Sequence, residues 1–400
     1  MKRSSRTPRT GATGRRERSA LAGTNIERAG DHNQRVTLQA IRIGGAVTRA
    51  ELASLTGLTG AAIANITGRL LRQKLIIEAG RRRGGRGQPA ARLAINPNGC
   101  YSVGLNIDRD HVTFVLLDFL GQVRGRVSEE IAFASPKDVH GFLRRAKSQT
   151  LKSAGIGEAR LVGAGVAFPT DLTRTQLPDQ PADYSIWAST RVDKLVADVI
   201  DVRVFVENDA TAAAIGELHF GSGHHYRSFF YLLVTAALGG GVVTNGSYFR
   251  GADGRSGEIG WLHAVDAQHH DAQLQKIVSL SGLYSRLGAA GFKVSAPQDL
   301  PLVASSAEPV IEGWVAECTN ALTEALIAVN CLVNPEAILI GGRLPAVLVD
   351  RLAAALNERM TRMASQLPAV APVARAALAD DAPAVGAAIL PFSDRFLPFR

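Results

Sequence analysis

The sequence contains few cysteines and no long apolar run. Its three cysteines are Cys100, Cys318 and Cys331, and none forms a CxxC pair. This spacing excludes a disulfide framework and a cysteine zinc site, so we expect three buried thiols. No apolar run reaches the ~18 residues of a membrane span, and no apolar segment of a signal peptide follows the basic N-terminus. We therefore expect a cytoplasmic protein without a membrane partner.

Acidic residues are scarce in the first quarter of the chain. Residues 1–95 contain nineteen Lys and Arg against five Asp and Glu, a net charge of +14, whereas the whole chain carries +9, which leaves −5 for residues 96–400. Lys and Arg displace counterions from a phosphate backbone, so the basic part is where polyanion binding is expected. The alternative is that a basic tail only confers solubility.

The length of 400 residues predicts more than one domain, since single cores stop growing near ~250–300 residues. Residues 1–29 are rich in Ser, Thr and Arg and bury almost nothing, so we expect a disordered basic tail. A DNA-binding domain is predicted over 30–97 and a larger α/β domain over 98–400.

Three short helices are predicted after the tail. Apolar residues recur at helical spacing over 32–43, and the glycines at 44–45 end this helix. Thr48 is placed to N-cap a second helix, with Glu51 completing a capping box. A short turn follows, and Thr59 is the expected N-cap of the third helix.

The third helix has the pattern of a recognition helix. Ile63, Ile66 and Leu70 recur on one side and are expected to face the other helices. The opposite side carries small residues and Asn65, which is able to read an adenine edge. The alternative is a three-helix unit that packs on another protein. For DNA binding, the predicted contacts from this part are Thr48, Thr59, Gly60, Ala61, Ala62, Asn65 and Arg69.

A two-stranded wing is predicted directly after this helix, because apolar strand edges flank an Arg/Gly loop. The loop RRRGGRGQP resembles the core of an AT-hook, although Gln88 replaces its second arginine. A narrow chain of this kind enters a minor groove and places guanidinium groups there. A flexible basic linker is the alternative. The predicted minor-groove contacts are Arg81, Arg82, Arg83 and Arg86.

The remaining chain alternates apolar strands with helical patterns and predicts an α/β body of two lobes around a cleft. The predicted strands are 101–108, 111–127, 161–169, 202–209, 229–235, 239–249 and 337–342, and the predicted helices lie near 137–154, 189–200, 209–218, 272–290 and 309–333.

Three blocks in this body carry a family resemblance. VENDATAAAIGELHFGSG, GGGVVTNGSYFRGADGRSGEIG and NPEAILIGG follow one another behind the winged helix-turn-helix. Residues 30–390 resemble the ROK family of repressors, open reading frames and sugar kinases, and the ENDA and GEIG blocks are the most specific parts. The resemblance implies an actin-like, hexokinase-like fold with a sugar between the lobes. It also implies sugar contacts from Asn208, Asp209 and Glu258, with Asp209 as the base in the kinases.

Two departures from the kinase pattern concern the phosphate loops. Thr235, Ala236 and Ala237 replace GTG, and NIDRDHV replaces a DIGGT-like turn. Asp108 and Asp110 bring carboxylates, and Arg109 a bulky side chain, to positions where glycines let backbone amides reach a phosphate. We therefore expect no bound nucleotide and no cofactor. The glycines 239–241, which by themselves suit either a phosphate cradle or a tight turn, are then expected to form a structural turn under the cleft.

A third departure concerns metal. Many relatives follow GEIGH with CxCGxxGCxE, whose His and Cys residues hold zinc. Here Trp261 stands at the His position and no cysteine follows, so a closed four-ligand site is lacking. His263, His269 and His270 are interpreted as a surface loop rather than a metal site.

The resemblance also places less regular residues near the sugar. Gln275 replaces a second family glutamate, so Trp261 and Gln275 would both lie at the sugar site, and a stacking aromatic can compensate for a lost hydrogen bond. Thr170 is a further candidate contact, whereas Asp171 is interpreted as a turn residue and Trp187 as a packing residue. The predicted ligand contacts are Thr170, Asn208, Asp209, Glu258, Trp261 and Gln275.

The sequence therefore predicts a homodimer, or a dimer of dimers, that binds a double-stranded DNA operator and represses carbohydrate-use genes. Its effector is expected to be a small sugar or sugar derivative, and the body is expected to be catalytically inactive. The alternative is an active ATP-dependent sugar kinase with a DNA-binding head. A third reading is a regulator whose signal is a protein partner.

Overall fold

The computed structural model describes residues 26–82, 90–170, 172, 180–252, 254–265 and 271–398. The N-terminal part of these, which we call the head (residues 26–95), consists of helices packed on a small antiparallel sheet with strand order β1-β3-β2. The elements are α1 (Ile26–Gly44), β1 (Val47–Thr48), α2 (Arg49–Thr56), α3 (Gly60–Arg72), β2 (Ile76–Arg82) and β3 (Ala90–Ile95).

Both predicted helix caps of the head are confirmed. The Thr48 hydroxyl accepts from the Glu51 N–H while the Glu51 carboxylate accepts from the Thr48 N–H, which completes the capping box. The Thr59 hydroxyl accepts from the Ala62 N–H at the start of α3. Between these helices the chain turns at Gly57, whose φ of +70° favours glycine. The first helix begins at Ile26, before the predicted start at residue 32, and ends at Gly44 as predicted.

The head is not separate from the rest of the protein. Its buried residues, among them Ile41, Ile63 and Leu93, belong to one apolar cluster with Phe119 and Phe396 of the body. This shared core fixes the head against the body, because moving one without the other exposes apolar surface.

The first lobe of the body is built on a five-stranded sheet of order β6-β5-β4-β7-β8. Strands β4, β5 and β6 pair antiparallel, and β4, β7 and β8 pair parallel. Its elements are β4 (Tyr101–Ile107), β5 (His111–Asp118), β6 (Val123–Glu130), α4 (Pro136–Ala154), β7 (Leu161–Ala167), α5 (Val192–Ala197) and β8 (Val204–Glu207).

The single long strand predicted over 111–127 is wrong, because a hairpin interrupts it. The Asp118 carboxylate accepts from the N–H groups of Leu120 and Gln122, and Gly121 has a φ of +84°. An acidic side chain that binds backbone donors two and four residues ahead ends a strand and forms a turn. The apolar pattern continues across this turn, which is why periodicity alone did not reveal it.

The second lobe contains another five-stranded sheet, of order β11-β10-β9-β14-β15. The predicted helix over 272–290 is divided into two at Ser279, whose hydroxyl caps the second part. The elements are α6 (Asp209–Phe220), β9 (Phe229–Val234), β10 (Leu238–Thr244), β11 (Ser247–Tyr248), β12 (His263–Val265), β13 (Asp271–Gln273), α7 (Leu274–Ile277), α8 (Leu280–Ala289), α9 (Leu300–Val303), α10 (Glu308–Leu332), β14 (Ala337–Gly342), α11 (Ala346–Met363), β15 (Val373–Arg375) and α12 (Ala382–Phe396).

Helix α12, which the sequence analysis did not predict, joins the parts of the molecule. It lies against β4 and β7 of the first sheet, where Gly104 and Gly165 leave room for its backbone. Its other side packs on α6, where Gly216 and Gly386 allow equally close contact. The buried residues of α12 surround the helix on all sides, as expected for a helix inside a protein.

The predicted α/β fold class with an N-terminal helical head is confirmed, and one expectation about the cysteines is corrected. Cys100 and Cys318 are buried, but Cys331 is exposed near the end of α10. None of the helices in the described ranges is long and apolar enough to cross a bilayer.

Candidate functional site

A cavity between the two lobes brings together all six predicted ligand contacts. Thr170 follows β7, Asn208 and Asp209 lie where β8 meets α6, and the other three come from the second lobe. Thr170, Asn208 and Asp209 follow the carboxyl ends of the neighbouring strands β7 and β8, which is the usual location of ligand sites in α/β sheets. The contacts from the second lobe are Glu258, Trp261 and Gln275.

Hydrogen bonds hold Asn208 in place. Its side-chain oxygen N-caps α6 by accepting from the Thr211 N–H at 3.0 Å, and its amide donates to the Thr170 hydroxyl at 3.0 Å. Its own N–H donates to the Glu207 carboxylate at 3.0 Å. Asn208 therefore has a fixed orientation and couples the start of α6 to the cavity.

Asp209 is the electrostatic centre of the cavity. Burial, together with the charges of Asp108 and Glu258, raises the pKa of this carboxyl to about 7, although the Arg109 guanidinium and the hydrogen bond from the Ala210 N–H act in the opposite direction. Desolvation disfavours the charged form of a carboxyl, and nearby carboxylates add to this effect. At neutral pH a large fraction of Asp209 is protonated and able to donate a hydrogen bond.

The cavity is small in this conformation, at about 30 Å³. A volume of that size holds about one water molecule, whereas small-molecule pockets usually have ~300–1,000 Å³. A sugar would enter only after the lobes move apart or the lining side chains rearrange. In this conformation the cleft has too little room for a sugar.

Arg109 also lines this cavity, a role that the sequence analysis missed. It lies in the turn between β4 and β5, and only 5% of its side chain is exposed. The sequence predicted that a bulky side chain at this position prevents phosphate binding. Nothing in the pattern indicated that the side chain points towards the predicted ligand contacts. Only the tertiary structure brings the β4–β5 turn next to the start of α6 and the start of β10.

Ion pairs occupy the neighbouring part of the cleft. Arg343, which follows β14 in the second lobe, donates to Asp110 at 2.7 Å and also contacts Glu130, both in the first lobe. Burial opposes ionisation of Asp110, but the hydrogen bond from His111 and the charge of Arg343 hold its pKa at about 2. This network links the lobes beside the β4–β5 turn.

The same network accounts for the one cluster of metal-ligand type among the described residues, formed by Asp108, Asp110 and His111. His111 uses one ring nitrogen towards Asp110 at 2.6 Å and the other towards Asn106 at 3.1 Å. Asp110 is also paired with Arg343. Protein groups already engage the histidine nitrogens and the Asp110 carboxylate, so these residues fit an ion-pair network better than a metal site.

The hairpin β12–β13 follows GEIG, in the segment where the resemblance to the ROK family implies a zinc site in many members. His263 of β12 contacts Asp271 of β13 at 2.8 Å, and the two strands pair antiparallel. The segment contributes no thiolate, and Trp261 precedes it, so the residues present do not fit the zinc site of the relatives. His269 and His270 lie outside the described residues, and so does Asp171.

The prediction of a structural turn at Gly239–Gly241 is wrong. These glycines belong to strand β10, which pairs antiparallel with β9, and the turn lies at residues 235–237. A side chain at Gly239 or Gly241 would meet Ala210 of α6 at 2.9 or 2.7 Å. The glycines are needed because the strand passes very close to the helix that begins at Asp209.

Trp187 is a packing residue, as predicted. It is buried, its ring lies 5.3 Å from that of Phe168, and its indole N–H donates to the Ala134 carbonyl at 2.9 Å. It is not among the residues that line the cavity.

The exposed face of α3 carries most of the predicted DNA contacts. Gly60, Ala61, Asn65 and Arg69 are exposed, Ala62 is half-buried, and Ile63 and Leu70 of the opposite face are in the core. Thr59 at the start of the helix is exposed as well. Small residues followed by one amide and one cation leave this face open to close approach by another surface.

The other predicted DNA contacts lie elsewhere in the head. Thr48 is buried, and its hydroxyl is engaged with Glu51, so any DNA contact from this side chain stays a prediction. Arg81 is exposed near the end of β2, which pairs with β3 up to Arg82 and Ala90. Arg83 and Arg86 lie outside the described residues.

Relatives of this chain include regulators and kinases. A protein of Sinorhizobium fredii described as uncharacterised is 29% identical over 367 residues, which are 91% of each chain. The xylose repressor of Bacillus spizizenii is 27% identical over 239 residues, 58% of this chain and 60% of the repressor. Sequence similarity to the repressor therefore covers only part of both proteins.

Two crystal structures show the same fold. A ROK family transcriptional regulator described as a homologue of the E. coli MLC protein has a TM-score of 0.66 at 20% identity, over 91% of this chain and 96% of its own. The ROK hexokinase of Thermus thermophilus has a TM-score of 0.55 at 23% identity, over 72% of this chain and 97% of its own. The likeness shows the fold alone, which regulators and kinases share.

A model described as the ROK family matches residues 102–393, nearly the whole body. Together with the cleft that ENDA and GEIG form, this match identifies the family: the chain belongs to the ROK family.

Proposed function

We propose that the protein is a DNA-binding transcriptional regulator, a repressor of carbohydrate-use genes that senses a sugar or sugar derivative through its ROK body. The observation that carries this proposal is a continuous set of contacts from the cavity to the head. Helix α6 begins at Asp209 in the cavity and packs along α12, and α12 contacts α1 of the head.

Polar contacts also connect α1 with both α12 and α6. Arg35 of α1 donates to the carbonyl oxygens of Asp394 and Leu397 at 2.7 and 2.9 Å, and Arg42 contacts His219 at the end of α6 at 3.3 Å. A change in the angle between the lobes would therefore move the head. For this to regulate, the sugar must bind one lobe arrangement more tightly than the other.

The DNA-binding side of the proposal relies on charge and shape. The first 95 residues carry a net charge of +14, and the exposed face of α3 offers small residues with Asn65 and Arg69. In a winged helix this face enters the major groove, and β2–β3 forms the wing. A homodimer would present two such faces to a palindromic operator.

Binding of the full chain to DNA tests the proposal. Labelled fragments from upstream of sugar-use operons are titrated by fluorescence anisotropy at about 50 and about 200 mM salt, with and without a sugar panel. We expect tight binding to some of the fragments, and we expect one sugar of the panel to change the affinity of that binding. Asn65→Ala with Arg69→Ala should weaken binding and reduce the preference among fragments, whereas Arg144→Ala, at an exposed arginine of α4, should change neither. Absence of binding to every fragment at the lower salt refutes the proposal.

An active sugar kinase is the second candidate, and the environment of Asp209 favours it. A carboxyl with a pKa of about 7 beside Asn208 and Glu258 suits a general base. Against it, Arg343 with Asp110 and Glu130 occupies the adjacent cleft with ion pairs. ATP-dependent phosphorylation of any hexose in a coupled assay, lost in Asp209→Asn, would favour the kinase.

A further inference from the structure

Arg109 has an unusual environment for a buried arginine. Among the described residues, its nearest carboxylate oxygen belongs to Asp108 and lies 3.7 Å from Nη1, beyond hydrogen-bond distance. Its Nε has no hydrogen-bond partner in the described part of the chain, although only 5% of the side chain is exposed. A buried guanidinium nitrogen without a hydrogen bond is costly, because it has lost water without gaining an equivalent partner.

Asp108 forms an ion pair with Arg109 but accepts no hydrogen bond from the guanidinium. Its Oδ1 accepts from the backbone N–H of Arg109 at 2.7 Å, and its Oδ2 is also buried without a partner among the described residues. The backbone of the turn thus orients the Asp108 carboxylate, and the Arg109 guanidinium is too far away to donate to it. The pair lacks the bidentate geometry that arginine and carboxylate adopt in a structural ion pair.

The guanidinium instead lies beside the predicted ligand contacts of the cavity. Arg109 lines the same cavity as Asn208, Asp209, Trp261 and Gln275. The charge of Arg109 lowers the pKa of Asp209 and so opposes the effects of Asp108 and Glu258, which raise it. The cavity therefore presents a planar cationic donor beside a carboxyl group that is protonated in part at neutral pH.

We propose that the effector is an acidic saccharide, whose carboxylate or phosphate is bound by Arg109. This inference rests on the proposed sugar-sensing function and adds the chemical class of the ligand. Guanidinium binds both anions through parallel hydrogen bonds, and protonated Asp209 would donate to a remaining anion oxygen. Arg109 is then the residue that determines specificity, since a neutral sugar leaves its donors unpaired.

Calorimetric titration of the full chain with matched sugars tests this inference. The pairs are galacturonate and galactose, glucuronate and glucose, and glucose 6-phosphate and glucose, so that the first two pairs probe a carboxylate and the third a phosphate. We expect the acid of at least one pair to bind about tenfold more tightly or better, as hydrogen bonds to a charged group imply. Equal or tighter binding of the neutral sugar in every pair, or no binding of any acid, overturns the inference.

Three variants separate a ligand contact from a structural role. Arg109→Gln should remove the preference for the acid, and Arg109→Lys should retain part of it because charge remains without the planar fork. Arg124→Gln removes one positive charge from the same lobe at a residue that pairs with Asp118 outside the cavity, and it should leave the preference unchanged. If both Arg109 variants keep the full preference, the inference is wrong.

Unfolding midpoints without sugar show whether the Arg109 variants are folded, and the lysine variant serves as the test if glutamine unfolds the chain. DNA binding by the same preparations is measured separately. If the unmodified chain does not bind DNA, the proposed function is refuted. If it binds DNA but prefers neutral sugars, only the acidic effector is refuted.

Discussion

Asp209→Asn is expected to stabilise the protein, and the gain should depend on pH. The pKa of Asp209 rises from 3.8 to about 7 on folding, because the carboxyl is buried near Asp108 and Glu258. The folded chain therefore holds a proton that the unfolded chain releases between these values. The contribution of this carboxyl to stability is complete below about pH 4 and is lost as the pH rises through about 7.

The difference between the two pKa values corresponds to at most about 4 kcal/mol above neutral pH. Asparagine avoids this cost because it does not ionise, and its side-chain oxygen can still accept from the Ala210 N–H, as Asp209 does at 2.9 Å. We expect the thermal unfolding midpoint of Asp209→Asn to exceed that of the unmodified chain by several degrees at pH 8, and by only a small part of this at pH 4.5.

A second carboxyl provides a control of opposite sign. Hydrogen bonds from Ser135 lower the pKa of Asp138, an exposed residue in the first turn of α4. Asp138→Asn should therefore lower the midpoint slightly at neutral pH and have less effect as the pH falls through the pKa of the folded state. Both variants are followed by circular dichroism over the same pH series. If Asp209→Asn shifts the midpoint equally at pH 4.5 and pH 8, or lowers it at pH 8, the electrostatic reasoning is refuted.

Three further predictions concern other parts of the molecule. Gly165→Ala should lower the unfolding midpoint strongly, since its Cβ would overlap the backbone of α12. Gly157→Ala should leave the midpoint almost unchanged, because no atom lies within 4 Å of the added Cβ. Thermal melts compare the two variants. Arg69→Ala should weaken DNA binding about equally on all sequences and reduce the slope of log affinity against log salt concentration by about one. Asn65→Ala should instead cost about 1–3 kcal/mol of discrimination at one base position. Anisotropy titrations measure both effects. Arg343→Gln should loosen the lobes and increase amide hydrogen exchange in β6, because the pairing with the first lobe is lost; unchanged exchange would contradict this.

Local features were predicted well from the sequence. The caps at Thr48 and Thr59 depend on side chains that bond to backbone groups three residues away, and such short-range chemistry is visible in a one-dimensional pattern. The ENDA and GEIG blocks identified residues that line one cavity, because their spacing belongs to a fold that many sequences share. Strands were found where apolar runs were long, and the hairpin inside the run over 111–127 was missed.

The remaining features depend on elements that are distant along the chain. Three consecutive glycines are compatible with a loop or a strand, and only the approach of α6 to β10 explains why side chains are excluded there. The orientation of Arg109 and the pairing of Arg343 with Asp110 likewise follow from the meeting of two lobes. The sequence by itself determined the family, the caps and the basic head, since these depend on residue type and short spacing. Only the tertiary structure decided which charges lie in the cleft, because burial and distance between remote residues set their energies.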